Sequence, residues 1–162
     1  MHAECERAIL VYMRVTLNNI KIFKGMSQET TAFTANVLLD GVKIGEAQNN
    51  GHGGCNTIYP PAAYQKVEEV AKTMPDYEIQ GVTMKMDADL LLCTLIERHE
   101  GSLQLKKMMK TKIVTVKGGQ IFAMIFRTPQ DYAVKLQKEK AAGLTTLNDL
   151  PFEQALNLFM QS

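Results

Sequence analysis

Apolar and polar residues follow a strand-like pattern over the first third of the chain and a helix-like one over much of the rest. Val15, Leu17, Ile20 and Ile22 open the first strand-like run, Thr30 to Leu39 is rich in β-branched and apolar residues, and Val42 to Ala47 follows. Asp40-Gly41 separates the last two runs. Such a pair predicts a tight hairpin, because both central residues of a type I′ turn need positive φ. The three runs predict an N-terminal three-stranded antiparallel meander, with a glycine-rich loop leaving its third strand. Residues 1–12 are unlike the rest of the chain and read as an N-terminal extension to a single domain over 13–162.

Pro60-Pro61 then punctuates the chain, and proline suits the first turn of a helix. Ala63, Val67, Val70, Ala71 and Met74 share one face at helical spacing, which predicts a helix from Ala62 to Met74 ended by Pro75. Ile79 to Met84 reads as a short strand or an extended connector. Asp87 is a good N-cap for a helix from Ala88 to His99. That segment is apolar nearly all round (Leu90, Leu91, Leu92, Cys93, Leu95, Ile96), so it is expected at the centre of the domain. Gly101 is expected to stop it, and Ser102 to cap a shorter helix from Leu103 to Lys110.

A second hairpin is predicted from Ile113–Val116 and Gln120–Phe126 around Lys117-Gly118-Gly119. Asp131 to Ala142 reads as a helix ended by Gly143, Thr145 to Asp149 as a loop, and Pro151 to Met160 as a last amphipathic helix. The expected fold class is α+β: an antiparallel β-meander and a β-hairpin packed with about five helices in a single domain.

Composition narrows the function classes. The chain has 162 residues, 46% hydrophobic and 22% charged, which is ordinary for a folded domain with a sizeable core. No run of eighteen apolar residues is present, so neither a transmembrane helix nor a membrane partner is expected. Residues 1–12, with two acids before a short apolar piece, make a poor secretory signal. Three widely spaced cysteines without a CxxC favour free thiols in a reducing, cytoplasmic setting. Ten methionines with no tryptophan predict an adaptable core, and exposed ones would suit a partner surface.

Charge is uneven. Residues 25–100 hold eleven acids against five bases, while 101–128 hold five lysines, one arginine and no acid. Lys106, Lys107, Lys110, Lys112 and Lys117 thus form a candidate basic contact surface for an acidic protein or nucleic acid. The blander reading is a solvated helix end and hairpin. Phe122 and Phe126 share one face of their strand, as a stacking platform or as core, with core favoured.

Asn49-Asn50-Gly51-His52-Gly53-Gly54-Cys55 concentrates three glycines, an imidazole and a thiol. Glycines let the backbone adopt angles that other residues avoid and let a ligand come close. Asn50, Gly51, His52, Gly53, Gly54 and Cys55 are therefore the candidate ligand- or partner-binding residues. His52 would act as an acid, a base or a hydrogen-bonding group near neutral pH, and the loop amides as an anion-binding nest. No Walker lysine or complete GxGxxG accompanies them. A Cys55–His52 nucleophile pair lacks an orienting acid. A zinc set of His52, Cys55, Cys93 and His99 is disfavoured, because Cys93 and His99 fall on different faces of their helix. Asp87 reads as a cap and Glu97 and Glu100 as a solvated face, which leaves these acids and Asp89 weak candidates for acid–base work. Catalytic residues stay unknown, and neither a metal nor a cofactor is expected.

The segment from Ser27-Gln28-Glu29-Thr30-Thr31-Ala32-Phe33-Thr34-Ala35 through Asp40-Gly41 to Asn50-Gly51-His52-Gly53-Gly54 resembles a group of small proteins carried by phages, prophages and plasmids. Ala71-Lys72-Thr73-Met74-Pro75 and the segment from Lys106 to Gly119 are similar too, so the resemblance spans roughly residues 13–126. It carries over no catalytic residue, since the group has no established activity. It implies the genomic setting of small proteins that act by binding, among which anti-defence and anti-CRISPR inhibitors are common. The expectation is a non-enzymatic binding protein that docks on a host protein complex, with a nuclease-based defence effector as the favoured target. The alternatives are direct nucleic-acid binding through the lysine segment, and a small nucleotide-binding module or enzyme centred on His52.

Overall fold

The computed structural model describes residues 14–79 and 81–162. The expected extension over residues 1–12 lies outside them. The chain divides into two compact units, one up to Leu95 and one from Ile96 to Ser162.

The first unit is built on four antiparallel strands in the order β1-β2-β3-β4: β1 (Val15–Ile22), β2 (Phe33–Leu39), β3 (Val42–Asn49) and β4 (Thr57–Tyr59). The meander is one strand longer than expected, since the chain returns after the glycine loop to pair Ile58 with Ala47. Asp40 and Gly41 both take positive φ, 50° and 83°, as a type I′ turn requires. Strand periodicity decides which face is buried. Phe33, Ala35 and Val37 point inward, whereas Thr34 is exposed and Asn36 half-buried. On β3 the inward positions are Gly45, Ala47 and Asn49.

Helix α1 (Pro61–Ala71) buries Ala63, Val67, Val70 and Ala71, the face its spacing predicts. A Cβ on Gly45 would run into the Tyr59 carbonyl oxygen and the Ala63 side chain, so glycine is needed where α1 and β4 approach β3. The segment expected as a strand or connector forms a small hairpin, β5 (Tyr77–Ile79) with β6 (Val82–Met84).

Helix α2 spans Ala88–Met109 without a break. Its N-terminus is held as expected, with Asp87 Oδ1 accepting the Leu90 N–H at 2.8 Å. Gly101 does not stop it. The predicted pair of helices is one helix of 22 residues, and the described residues contain four helices where about five were expected. A glycine inside a helix costs about 1 kcal/mol relative to alanine, which tertiary packing readily offsets. Gly101 is buried, and its missing side chain leaves room for Met160 and Leu156.

The second unit packs the later turns of α2 with a three-stranded sheet ordered β8-β7-β9: β7 (Lys112–Lys117), β8 (Gln120–Ile125) and β9 (Thr145–Thr146). Helix α3 (Pro129–Ala141) separates β8 from β9, and a 3-10 turn (Leu147–Asp149) leads to helix α4 (Phe152–Met160). The stretch expected as a plain loop, Thr145–Asp149, thus supplies an edge strand and the 3-10 turn. Leu105, Val114, Leu147, Ala155, Leu156 and Phe159 form the core. Arg98 fixes α4 to α2, reaching Glu153 at 2.6 Å and Asn157 at 2.8 Å.

Candidate functional site

The glycine loop joins β3 to β4 and lies against the connection between β1 and β2. Its organiser is Asn49, the last residue of β3, which is buried. Asn49 Oδ1 accepts the Gly51 N–H and the Thr30 hydroxyl, both at 2.8 Å. Asn49 Nδ2 donates to the Gly54 carbonyl at 2.9 Å and to Asn56 Oδ1 at 3.1 Å. The Gly51 carbonyl in turn accepts the amides of Gln28 and Glu29, each at 3.0 Å. Gly51 (φ 86°) and Gly53 (φ 84°) both lie in the left-handed region. A Cβ there would strike the Met26 carbonyl oxygen and a Glu29 carboxylate oxygen respectively. Two of the three glycines are thus required by the turn and by loop-to-loop packing.

These bonds occupy the groups that an anion would need. The Gly51, His52 and Gly53 amides donate to Asn49 Oδ1, Asn50 Oδ1 and Thr30 Oγ1 at 2.8, 3.1 and 3.3 Å. A nest must aim successive N–H groups outward at its ligand, whereas here three successive amides are satisfied from within. Asn50, His52, Gly53, Gly54 and Cys55 are exposed, and Gly51 is buried. His52 Nδ1 lies 3.1 Å from Gln28 Oε1, which orients the ring over the neighbouring loop. Among the described residues no group of three or more His, Cys, Asp and Glu side chains is placed to hold a metal ion.

Asn56 pins the far end of the loop. Its N–H donates to Asp89 Oδ1 at 2.6 Å, and its Nδ2 contacts the Asp89 carbonyl and Cys93 Sγ, both at 3.2 Å. Asp89 and Cys93, raised by the sequence as an acid and a zinc ligand, therefore anchor the loop to the start of α2. Asp87 caps that helix. Glu68 joins it there, its Oε2 accepting the Ala88 N–H at 2.8 Å. That bond first, and then Lys72, holds the Glu68 carboxyl below its usual range against the opposing effect of burial.

The basic candidates are only partly brought together. Lys106 and Lys107 are exposed on the last turn of α2, Lys110 is exposed in the turn just after it, and half-buried Lys112 opens β7. Lys106 Nζ sits 4.8 Å above the Phe152 ring, a cation–π contact. Lys117 is five residues further along β7, or roughly 16 Å at strand rise, and on the opposite face from Lys112. It belongs to the hairpin tip.

The core reading of the strand phenylalanines does not hold for Phe122, which is 49% exposed. Phe126 is half-buried, edge-on to Tyr132 with ring centroids 4.9 Å apart. Ile125 (58%) and Val134 (67%) are open as well, and α3 has no buried residue. Alternation on β8 had pointed to one buried face. The strand lies at a sheet edge, where neither face is fully covered.

A further feature that the sequence did not single out is a shallow cavity of about 210 Å³ on the polar face of the first sheet, lined by Lys21, Asn36, Glu46, Gln48 and Tyr59 among others. Its polar lining comes from outward positions of four strands, visible only once the strands are registered.

No family model matches this chain, and no curated protein or solved structure matches it either. Among the described residues no helix is long and apolar enough to cross a membrane.

Proposed function

We propose that this chain is a non-enzymatic binding protein of a phage or other mobile element, which docks on a host protein complex, a nuclease-based defence effector above all, and blocks it. The observation that carries the protein-binding reading is a group of exposed apolar side chains in the second unit. Phe122, Ile125 and Val134 are all exposed within thirteen residues, on a hairpin strand and the helix that follows it. Large apolar groups left exposed on both faces of one strand and on the helix after it favour a protein partner, and the acid-free segment 101–128, which carries Phe122 and Ile125, adds attraction for an acidic one. The mobile-element setting is supported by the resemblance of residues 13–126 alone. The internally satisfied loop amides weigh against a phosphate-binding module at His52.

Direct nucleic-acid binding is the second reading, favoured by the exposure of Lys106, Lys107 and Lys110 on adjoining turns. It requires affinity that falls steeply with salt.

The test is the plating efficiency of a phage restricted by a nuclease-based defence system, on hosts carrying that system with or without this chain. Restored plating with the chain supports inhibition. Unchanged plating across hosts that represent the main nuclease-based systems, with the chain expressed and folded, overturns it.

A further inference from the structure

The sheet of the second unit treats its two edges differently. Beyond β7, the short β9 pairs with Thr115 and Val116. The Asn148 side chain then continues the edge, Oδ1 accepting the Val114 N–H at 2.7 Å and Nδ2 donating to the Lys112 carbonyl at 3.0 Å. That edge is closed.

The β8 edge is not. Lys117 pairs with Gln120 across the Gly118-Gly119 turn, so this pair exchanges backbone bonds and the alternation runs on through 122 and 124. The Phe126 N–H bonded to the Thr111 carbonyl at 3.0 Å keeps the same parity. Ile121, Ala123 and Ile125 therefore aim their N–H and C=O groups away from β7. Among the described residues one group meets them: Lys135 Nζ, 2.9 Å from the Ile125 carbonyl. Folded proteins usually blunt such an edge with a charge, a proline or a bulge. Gln120-Ile121-Phe122-Ala123-Met124-Ile125 has none of these, and its register with β7 is regular over six pairs.

We propose that β8 is a docking edge that takes one extended strand of a protein partner, apolar at its centre and acidic at both ends. This deepens the protein-binding reading and rests on it. Charge selects the occupant. Exposed Lys117 sits level with the Gln120 end of β8, across the turn on β7, exposed Arg127 lies just past the other end of β8, and residues 101–128 contain no acid. Asp131, the next acid along the chain, is taken by Lys135 at 2.9 Å and by the Arg127 N–H at 3.0 Å. A second copy pairing antiparallel about Ala123 would bring Arg127 of each chain close to Lys117 of the other. Lys117 stands on β7, one strand behind that contact, so the two like charges repel across β8 at longer range, whereas acidic flanks meet positive charge at both ends. Main-chain bonds would supply affinity, with Phe122 and Ile125 gripping opposite faces of the added strand.

The probe is a synthetic peptide of alternating valine and threonine with two glutamates at each end, mixed with the whole chain. Amide hydrogen exchange at Ile121, Ala123 and Ile125 is the readout. Slowing at these three amides by tenfold or more is expected, with little change at Gln120, Phe122 and Met124, which already face β7. A peptide of the same sequence N-methylated through its centre, and one flanked by lysines, should not protect them. Ala123→Pro, which removes an outward N–H and spares the ladder to β7, should abolish the effect. The exchange pattern of the unaltered chain decides the matter if that variant does not fold. No protection, or equal binding of the N-methylated peptide, overturns the proposal. Protection without peptide that grows with protein concentration overturns it in favour of a second copy. If these fail while a host protein is still captured after nuclease treatment, the edge assignment falls and protein binding stands.

Discussion

The carboxamide of Asn148 stands beside Val114 as the backbone of a further strand residue would. Its Oδ1 accepts the buried Val114 N–H at 2.7 Å, and its Nδ2 reaches the Lys112 carbonyl at 3.0 Å. A two-residue strand is thereby extended by a side chain. Asn148→Ala leaves a buried donor and an acceptor unpaired, and is expected to cost about 2 kcal/mol. Asn148→Asp keeps the acceptor and should cost less. Denaturant midpoints of the two variants check this order, and equal losses would contradict it.

The glycine loop predicts a sharp contrast between neighbours. Gly51→Ala combines positive φ with a collision at the Met26 carbonyl, and is expected to destabilise by about 2 kcal/mol or more. Gly54 has open space around its Cβ direction and an ordinary φ, so Gly54→Ala should be close to neutral. His52→Ala should also leave the melting temperature nearly unchanged, because the ring is exposed and Gln28 is its one polar partner among the described residues. A large loss in His52→Ala would show that the ring has a structural role.

Gly101 tests the continuous helix. The nearest atom to an added Cβ is Met160 Sδ, far out on a flexible and 40% exposed side chain. Met160 can swing aside, so Gly101→Ala should raise stability by up to about 1 kcal/mol through helix propensity. A lower melting temperature would mean that Met160 is locked in place.

Glu68 predicts a pH dependence. Its folded-state carboxyl lies below the usual 4.5, mainly through the Ala88 N–H and then Lys72. Its contribution is therefore complete above 4.5 and is lost as pH falls through the lower folded value. Asp40, Glu46 and Asp131 are shifted the same way, chiefly by hydrogen bonds from Arg14, Lys43 and Lys135, and lose their contributions in the same acid range. Only the difference between proteins isolates Glu68. Glu68→Gln retains an acceptor for Ala88 without the titrating charge, so its melting temperature should fall less steeply than the wild type's between about pH 5 and 3. Parallel curves would contradict the assignment.

How much could be read from the sequence depended on how local each cause was. Asp40-Gly41 fixes its hairpin by its own turn chemistry, and the α1 face follows from spacing within one helix. Gly101 misleads because the packing that carries the helix through it, against Leu156 and Met160, lies fifty-five and fifty-nine residues away. At three residues, β4 is too short to show a period. The glycine loop stands out as unusual in composition, which draws attention to His52 and Cys55. Its actual organiser is Asn49, whose partners Thr30, Gly54 and Asn56 lie 19, 5 and 7 residues away. Phe122 reads as core because alternation shows that a face exists but not whether anything covers it.

The most direct measurement is capture of host proteins from a nuclease-treated bacterial lysate by the tagged chain, with Phe122→Asp and a Lys106/Lys107/Lys110 triple-alanine variant alongside. The account predicts a stoichiometric protein partner that survives nuclease and is lost with Phe122→Asp. Recovery of nuclease-sensitive material alone, abolished by the lysine changes, would contradict it and assign the surface to nucleic acid.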